Sequence, residues 1–227
     1  MENHNVSPFH ALPKVVIALA VVIFGIEVMF QLAEAGFLGG QGGIGWRTAA
    51  FENYAVLDQV WAWMVTNQTF PLEHLVRFIT YPLLHLGFVH ALLVCVFVLA
   101  LGKMVAEVYS MWAFLAVFWV ASIMGGLGYV LILDSRFPLV GGYPGVYGLI
   151  GAFTFLMLMR AEAEGSGRAR AFALVGALLA VQLLFALING DFGSVISDFC
   201  GFLTGLALSF VVSPGGWRRV LSRMRQR

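Results

Sequence analysis

Charge is scarce in this 227-residue chain, at 11% Asp, Glu, Lys and Arg together, where soluble domains carry roughly 25%. With 60% of the residues hydrophobic, that scarcity excludes a water-solvated globule. Cysteine is nearly missing: Cys95 and Cys200 are the whole complement. Both fall inside apolar runs, where a thiol acts as a small packing group. Neither a disulfide nor a metal site is expected, and no cofactor. No internal repeat or low-complexity tract is present, which excludes solenoids and arrays. Excess charge of one sign is absent too, at a formal net charge of +1, and no nucleic-acid partner is expected.

What the chain has is long hydrophobic runs. A spanning helix needs roughly 20 mainly apolar residues to cross about 30 Å of hydrocarbon at 1.5 Å each. Six stretches qualify, near residues 14–35, 80–101, 111–133, 139–160, 171–188 and 192–213. They predict an all-α, polytopic membrane protein: one six-helix domain over 14–213, between an N-terminal tail (1–13) and a basic tail (214–227). The first run is too long for a secretory signal, and no small-residue cleavage pattern follows it, so it should stay attached.

Basic residues divide unevenly around these runs. Lys14, Lys103, Arg160, Arg168, Arg170, Arg218, Arg219, Arg223, Arg225 and Arg227 fall on one side, and only Arg47, Arg77 and Arg136 on the other. Lys and Arg beside helix ends are retained in the cytoplasm, so both termini are expected there, in a cell inner membrane or plasma membrane. The terminal WRRVLSRMRQR suits anionic headgroups. The segment 37–76 then lies outside, long for a connection. It carries Trp46, Phe51, Tyr54, Leu57, Trp61 and Met64 among polar residues, the composition of an interfacial helix lying on the lipid.

In lipid, helices associate through close backbone contact. Gly142, Gly145, Gly148 and Gly151 recur every three residues, and Gly201 and Gly205 have a GxxxG spacing. The first set reads as one stripe that packs on the second. Ionisable groups at depth are costly unless paired or hydrated, which singles out His85, His90 and Asp198. At 1.5 Å per residue, His90 should lie about 12 Å, Asp198 about 9 Å and Tyr143 about 6 Å from the same membrane face. Glu27 and Gln31 are weaker candidates. Glu107 follows Lys103 at the i, i+4 spacing of a structural salt bridge.

These residues also carry a resemblance. Arg77-Phe78-Ile79-Thr80-Tyr81 followed by His85-Leu86-Gly87-Phe88-Val89-His90 resembles the second-helix signature of the rhomboid intramembrane proteases, R-x-x-T-x-x-x-x-H-x-x-x-x-H-x-x-x-N. Gly102 to Glu107 and then Ser110 are similar to the family's third-helix entry. Gly141 to Ala152 is similar to its G-x-S-G stretch and the helix after it. Asp198 to Leu206 is similar to its sixth-helix H-x-x-G-x-x-x-G-L segment. The matches fall in the family's order and span nearly the whole chain.

The resemblance implies a rhomboid-like bundle whose catalytic pair is missing. The serine position falls on Tyr143 or on Pro144, depending on the register chosen. Asp198 stands at the histidine, and Val94 at the asparagine that helps hold the oxyanion; His90 alone of the four remains. Ser194 and Ser197 flank Asp198 on one helix and are expected to point to other faces. The implied function is a pseudoprotease that binds or scaffolds membrane-spanning helices of other proteins in the bilayer without cleaving them. The alternatives are a serine-type intramembrane endopeptidase with an unconventional site and a small transporter or proton-linked channel. The last is disfavoured because no inverted repeat or broken-helix pair accompanies the buried polar groups. Helix packing is assigned to His85, Gly145, Gly148, Gly201 and Gly205. Asp198 is expected to face the Tyr143–Pro144 turn, with the Tyr143 hydroxyl or a backbone N–H as donor and His90 as the competing partner.

Overall fold

The computed structural model describes residues 11–132, 134–165, 169, 172–190 and 192–213. The tail 214–227, most of 1–13, Arg168 and Arg170 lie outside the described residues, and with them much of the basic asymmetry. Among those described are ten α-helices: α1 Lys14–Glu34, α2 Trp46–Tyr54, α3 Asp58–Thr66, α4 Leu72–Leu75, α5 Arg77–Thr80, α6 Phe88–Val108, α7 Met111–Ile132, α8 Tyr143–Glu164, α9 Ala173–Asn189 and α10 Gly193–Val212. No strand occurs among them; one isolated bridge pairs Val56 with Leu139.

Five helices, α1, α6, α7, α8 and α10, are long and apolar enough to cross a membrane. The expected fifth span, 171–188, corresponds to α9, whose 17 residues reach about 25 Å, the short end of the spanning range. The second run also begins later than its hydropathy implies. Pro82 sits in a 3-10 turn over Tyr81–Leu83, Leu84 is extended, and Gly87 caps a helix that starts only at Phe88. The extended backbone at Leu84 and Gly87 interrupts what would be a continuous helix over 80–101. His85 therefore lies ahead of the helix, and His90 is two residues into it rather than deep inside.

In place of one interfacial helix, the long connection holds a 3-10 turn over Gly40–Gly45, then α2, α3 and the single turns α4 and α5. Its large side chains divide by role: Trp46, Tyr54 and Trp63 are exposed, whereas Met64 is buried. Several bonds hold the segment to the bundle. Val56 and Leu139 exchange backbone hydrogen bonds of 3.2 and 2.9 Å. Arg77 donates to the Ala55 carbonyl at 2.9 Å, and the Thr80 hydroxyl to the Tyr54 carbonyl at 3.0 Å. Burial pulls the Arg77 guanidinium below its ordinary range.

The firmest tie is Arg47. Its Nη1 and Nη2 donate to the Glu27 carboxylate at 2.8 and 3.0 Å, its Nε to Glu34 at 2.6 Å, and Nη1 also to the His85 carbonyl at 2.6 Å. Gln31 donates to Glu27 from one turn along α1 at 2.7 Å. Glu27 is thus the buried end of an ion pair. Lys103 and Glu107 stand 3.9 Å apart at the i, i+4 spacing.

α8 and α10 share the largest helix contact, and α7 packs against both. Glycine explains how closely they approach. A Cβ on Gly205 would lie 1.9 Å from the Gly148 carbonyl oxygen, and one on Gly201 2.2 Å from that of Pro144. The α8 glycines do not form one stripe. A step of three residues falls about 60° short of a full turn at 3.6 residues per turn, so the row winds round the helix. Gly142 faces Val94 of α6, Gly145 faces Phe118 and Ser122 of α7, Gly148 meets Ala121 of α7 and Gly205, and Gly151 meets the backbone at Phe202 and Leu206 of α10. α9 touches its neighbours α8 and α10 only sparsely.

Candidate functional site

The N-terminal ends of α6, α8 and α10 surround a cavity of about 310 Å³, closed on one side by Leu139 and Val140 and on another by Gln182 of α9. Each wall follows from local sequence. Gly141 has φ +103°, which disfavours a side chain, and a Cβ there would lie 2.6 Å from the His90 ring. The chain then enters α8 with Tyr143 and Pro144 in the first turn, where proline's missing N–H needs no partner. Pro144 is buried with its ring toward Gly125 of α7. Tyr143 turns the other way and stacks on His90, with ring centroids 5.1 Å apart and 18° between planes.

Backbone hydrogen bonds fix both histidines. His90 Nδ1 accepts from the Leu86 N–H at 3.2 Å, which leaves its proton on Nε2. His85 Nε2 accepts from the Gly142 N–H at 3.4 Å, and its Nδ1 faces the Leu83 carbonyl at 3.3 Å. The two rings meet edge-on at 5.1 Å. His85 thus braces the loop before α8, and His90 presents its other edge to the cavity. Val94 lies one turn further along α6, wholly buried, against Gly142.

Asp198 lies on the α10 wall, 2% exposed. Its donor is Nε2 of Gln182, not the Tyr143 hydroxyl, a backbone N–H or His90. The partner comes from α9, where a lone glutamine interrupts an otherwise apolar run. Its Oε1 is buried without a hydrogen-bond partner among the described residues. Ser194 also lines the cavity, because four residues along a helix return to the same face; the expectation that it points elsewhere is corrected. Ser197 faces Gly125 of α7. The cavity thus brings His90, Tyr143, Pro144 and Asp198 together and adds Gln182 and Ser194. It does not include His85 or Val94, which stand behind its wall.

Residues 72–215 match the Rhomboid domain family. The chain belongs to the rhomboid family. It is also 30% identical over 139 residues to a Bacillus subtilis (strain 168) protein described as "Putative rhomboid protease YdcA", a match covering 60% of this chain and 66% of that relative. The chain therefore spans just under two thirds of the relative's length. Among the described residues, no group of three or more His, Cys, Asp or Glu could hold a metal ion. Chemically, this rhomboid cavity offers a buried carboxylate, an amide, a hydroxyl and aromatic faces.

Sequence reasoning missed two participants in the cavity, Gln182 and Ser194, and the pairing of Arg47 with Glu27 outside it. Gln182 had a signal, the one amide within the helix before its terminal Asn189. Ser194 had one too, its i, i+4 relation to Asp198. Arg47 and Glu27 are 20 residues apart with an irregular loop between them, and no periodic pattern links them.

Proposed function

We propose that this rhomboid-family protein recognises membrane-spanning segments of other proteins and does not cleave them. The observation that carries the reading is the start of α8, where the cavity is met by the Tyr143 ring and by Pro144 instead of a hydroxyl nucleophile. A proline has no nucleophile, and a phenol near pKa 10 is a poor one without strong activation. The carboxylate of Asp198 is engaged by an amide, which supports a structural or binding role for it.

One observation favours a second reading, an unconventional serine endopeptidase. Ser194 and Asp198 share a cavity wall, and a carboxylate can serve as the base for a hydroxyl. A fluorophosphonate probe on the protein in phosphatidylcholine vesicles separates the two. The binding reading expects no labelled serine and no cleavage of a co-reconstituted single-span protein. Labelling that disappears in Ser194→Ala would establish the peptidase instead.

A further inference from the structure

The cavity's acid and amide present acceptors, and its donors are the His90 Nε2–H and the Ser194 and Tyr143 hydroxyls, all neutral groups. Asp198 presents a carboxylate with only one donor on it, from Gln182, and the Gln182 Oε1 beside it is a buried acceptor without a partner among the described residues. Around these acceptors stand the aromatic faces of Tyr129, Tyr143 and His90. Among the described residues, no Lys or Arg lines the cavity. Arg47 is committed to Glu27 and Glu34 and Arg77 to the Ala55 carbonyl, while Arg136, two residues before Pro138, lines a separate pocket with Asp134 and Gly193. A counter-charge with donors to spare stabilises a carboxylate as the anion in a low-dielectric wall, and π-faces attract cations. A purely apolar occupant would leave the Gln182 Oε1 unsatisfied.

We infer that the cavity receives a side-chain cation, the ammonium of a lysine or the guanidinium of an arginine, carried near the end of a partner's membrane-spanning segment. An ammonium has three donors, enough to bond Asp198 and Gln182 Oε1 together while its alkyl stem lies along Tyr143. The inference rests on the proposed recognition of membrane segments and names the residue by which a partner is selected. A segment whose cation is bound here loses the cost of carrying an unpaired charge within the bilayer, which gives the interaction its selectivity.

The test uses the intact protein in phosphatidylcholine vesicles, where no anionic lipid competes. Two dansyl-labelled peptides of about 20 residues, Leu/Ala-based, differ only in a single lysine or norleucine near one end, and binding is read by energy transfer from the protein's tryptophans. The lysine peptide should bind at least about tenfold more tightly, and the preference should persist at about 1 M salt because a buried pair is weakly screened. Asp198→Asn should abolish the preference and Asp198→Glu should retain it. The two-peptide comparison needs only the unaltered protein, so a poorly folding variant does not remove the test. Equal affinity for both peptides, or a preference unchanged in Asp198→Asn, overturns the cation site alone. Binding of neither peptide overturns it together with the recognition reading. Lysine butylamide that binds as tightly as the lysine peptide would make the ligand a free amine and also overturn it. Cleavage of a bound peptide would refute the non-cleaving reading and leave the lysine preference standing.

Discussion

Replacing Arg47 by Met removes a guanidinium that joins three elements and keeps most of its stem volume. The side chain is 11% exposed and its main partner, Glu27, is wholly buried, whereas Glu34 is 40% exposed. The Glu34 limb is therefore a surface ion pair of about 0–1 kcal/mol. The Glu27 limb decides the outcome: removing one member of a buried pair leaves an uncompensated charge, which costs about 3–5 kcal/mol. Gln31 still donates to Glu27 and softens that cost, so we expect Arg47→Met to destabilise by about 3 kcal/mol, the low end of that range. Hydrogen bonding to Glu27 holds the Arg47 guanidinium above its ordinary range, against the opposing effect of burial. A cation raised in this way contributes stability at every pH below its unfolded value, so no accessible rise in pH deprotonates Arg47 and removes the contact. Unfolding in mild detergent can be followed by tryptophan emission, since Trp46, Trp61 and Trp63 all lie in the affected segment. The diagnostic is the cycle with Glu27→Gln: once the carboxylate is neutral, Arg47→Met should cost less than half as much. A single-variant loss below about 1 kcal/mol, or additive losses in the cycle, would refute the reasoning.

Gly205→Ala should lower the melting temperature clearly, because its Cβ would lie 1.9 Å from the Gly148 carbonyl oxygen, while Gly176→Ala, with nothing within 4 Å, should not; equal shifts would deny the backbone contact. Both termini are proposed to be cytoplasmic, so a cysteine at Gly42 should react with an impermeant maleimide on intact cells and one at Gly165 should be protected, and the reverse pattern would invert the topology. Asp198→Asn and Gln182→Leu should show stability losses that fail to add, whereas Asp198→Asn and Tyr143→Phe should add, as expected if Gln182 is the carboxylate's partner.

Much of this architecture could be read from hydropathy because the bilayer sets a length scale that apolar runs must meet. Five runs became full-length helices. Hydropathy could not locate the start of α6: the residues around Pro82 are as apolar as the helix, and the break is set by the extended backbone at Leu84 and Gly87. The glycines of α8 were visible, yet the stripe they suggest ignores the mismatch between a three-residue interval and a 3.6-residue turn, which spreads them over three partners. At the candidate site, His90, Tyr143 and Asp198 stood out because ionisable groups are rare in apolar runs. The partner of Asp198 did not, because it comes from α9 and helix pairing leaves no local mark. Depth alone suggested Tyr143, whose ring the structure commits to His90.

The bare-backbone meeting of α8 with α10 has a mechanical consequence. Where Gly148 meets Gly205 and Pro144 meets Gly201, no rotatable side chain lies between the helices that could repack to let one slide past the other. That junction behaves as a weld. Tyr143 and Asp198 ride on its two halves and keep a fixed spacing, whereas Gln182 is borne by a sparsely attached helix and can follow whatever arrives. A guest in this cavity therefore meets one unyielding jaw and one compliant one, and its size is gauged against the first.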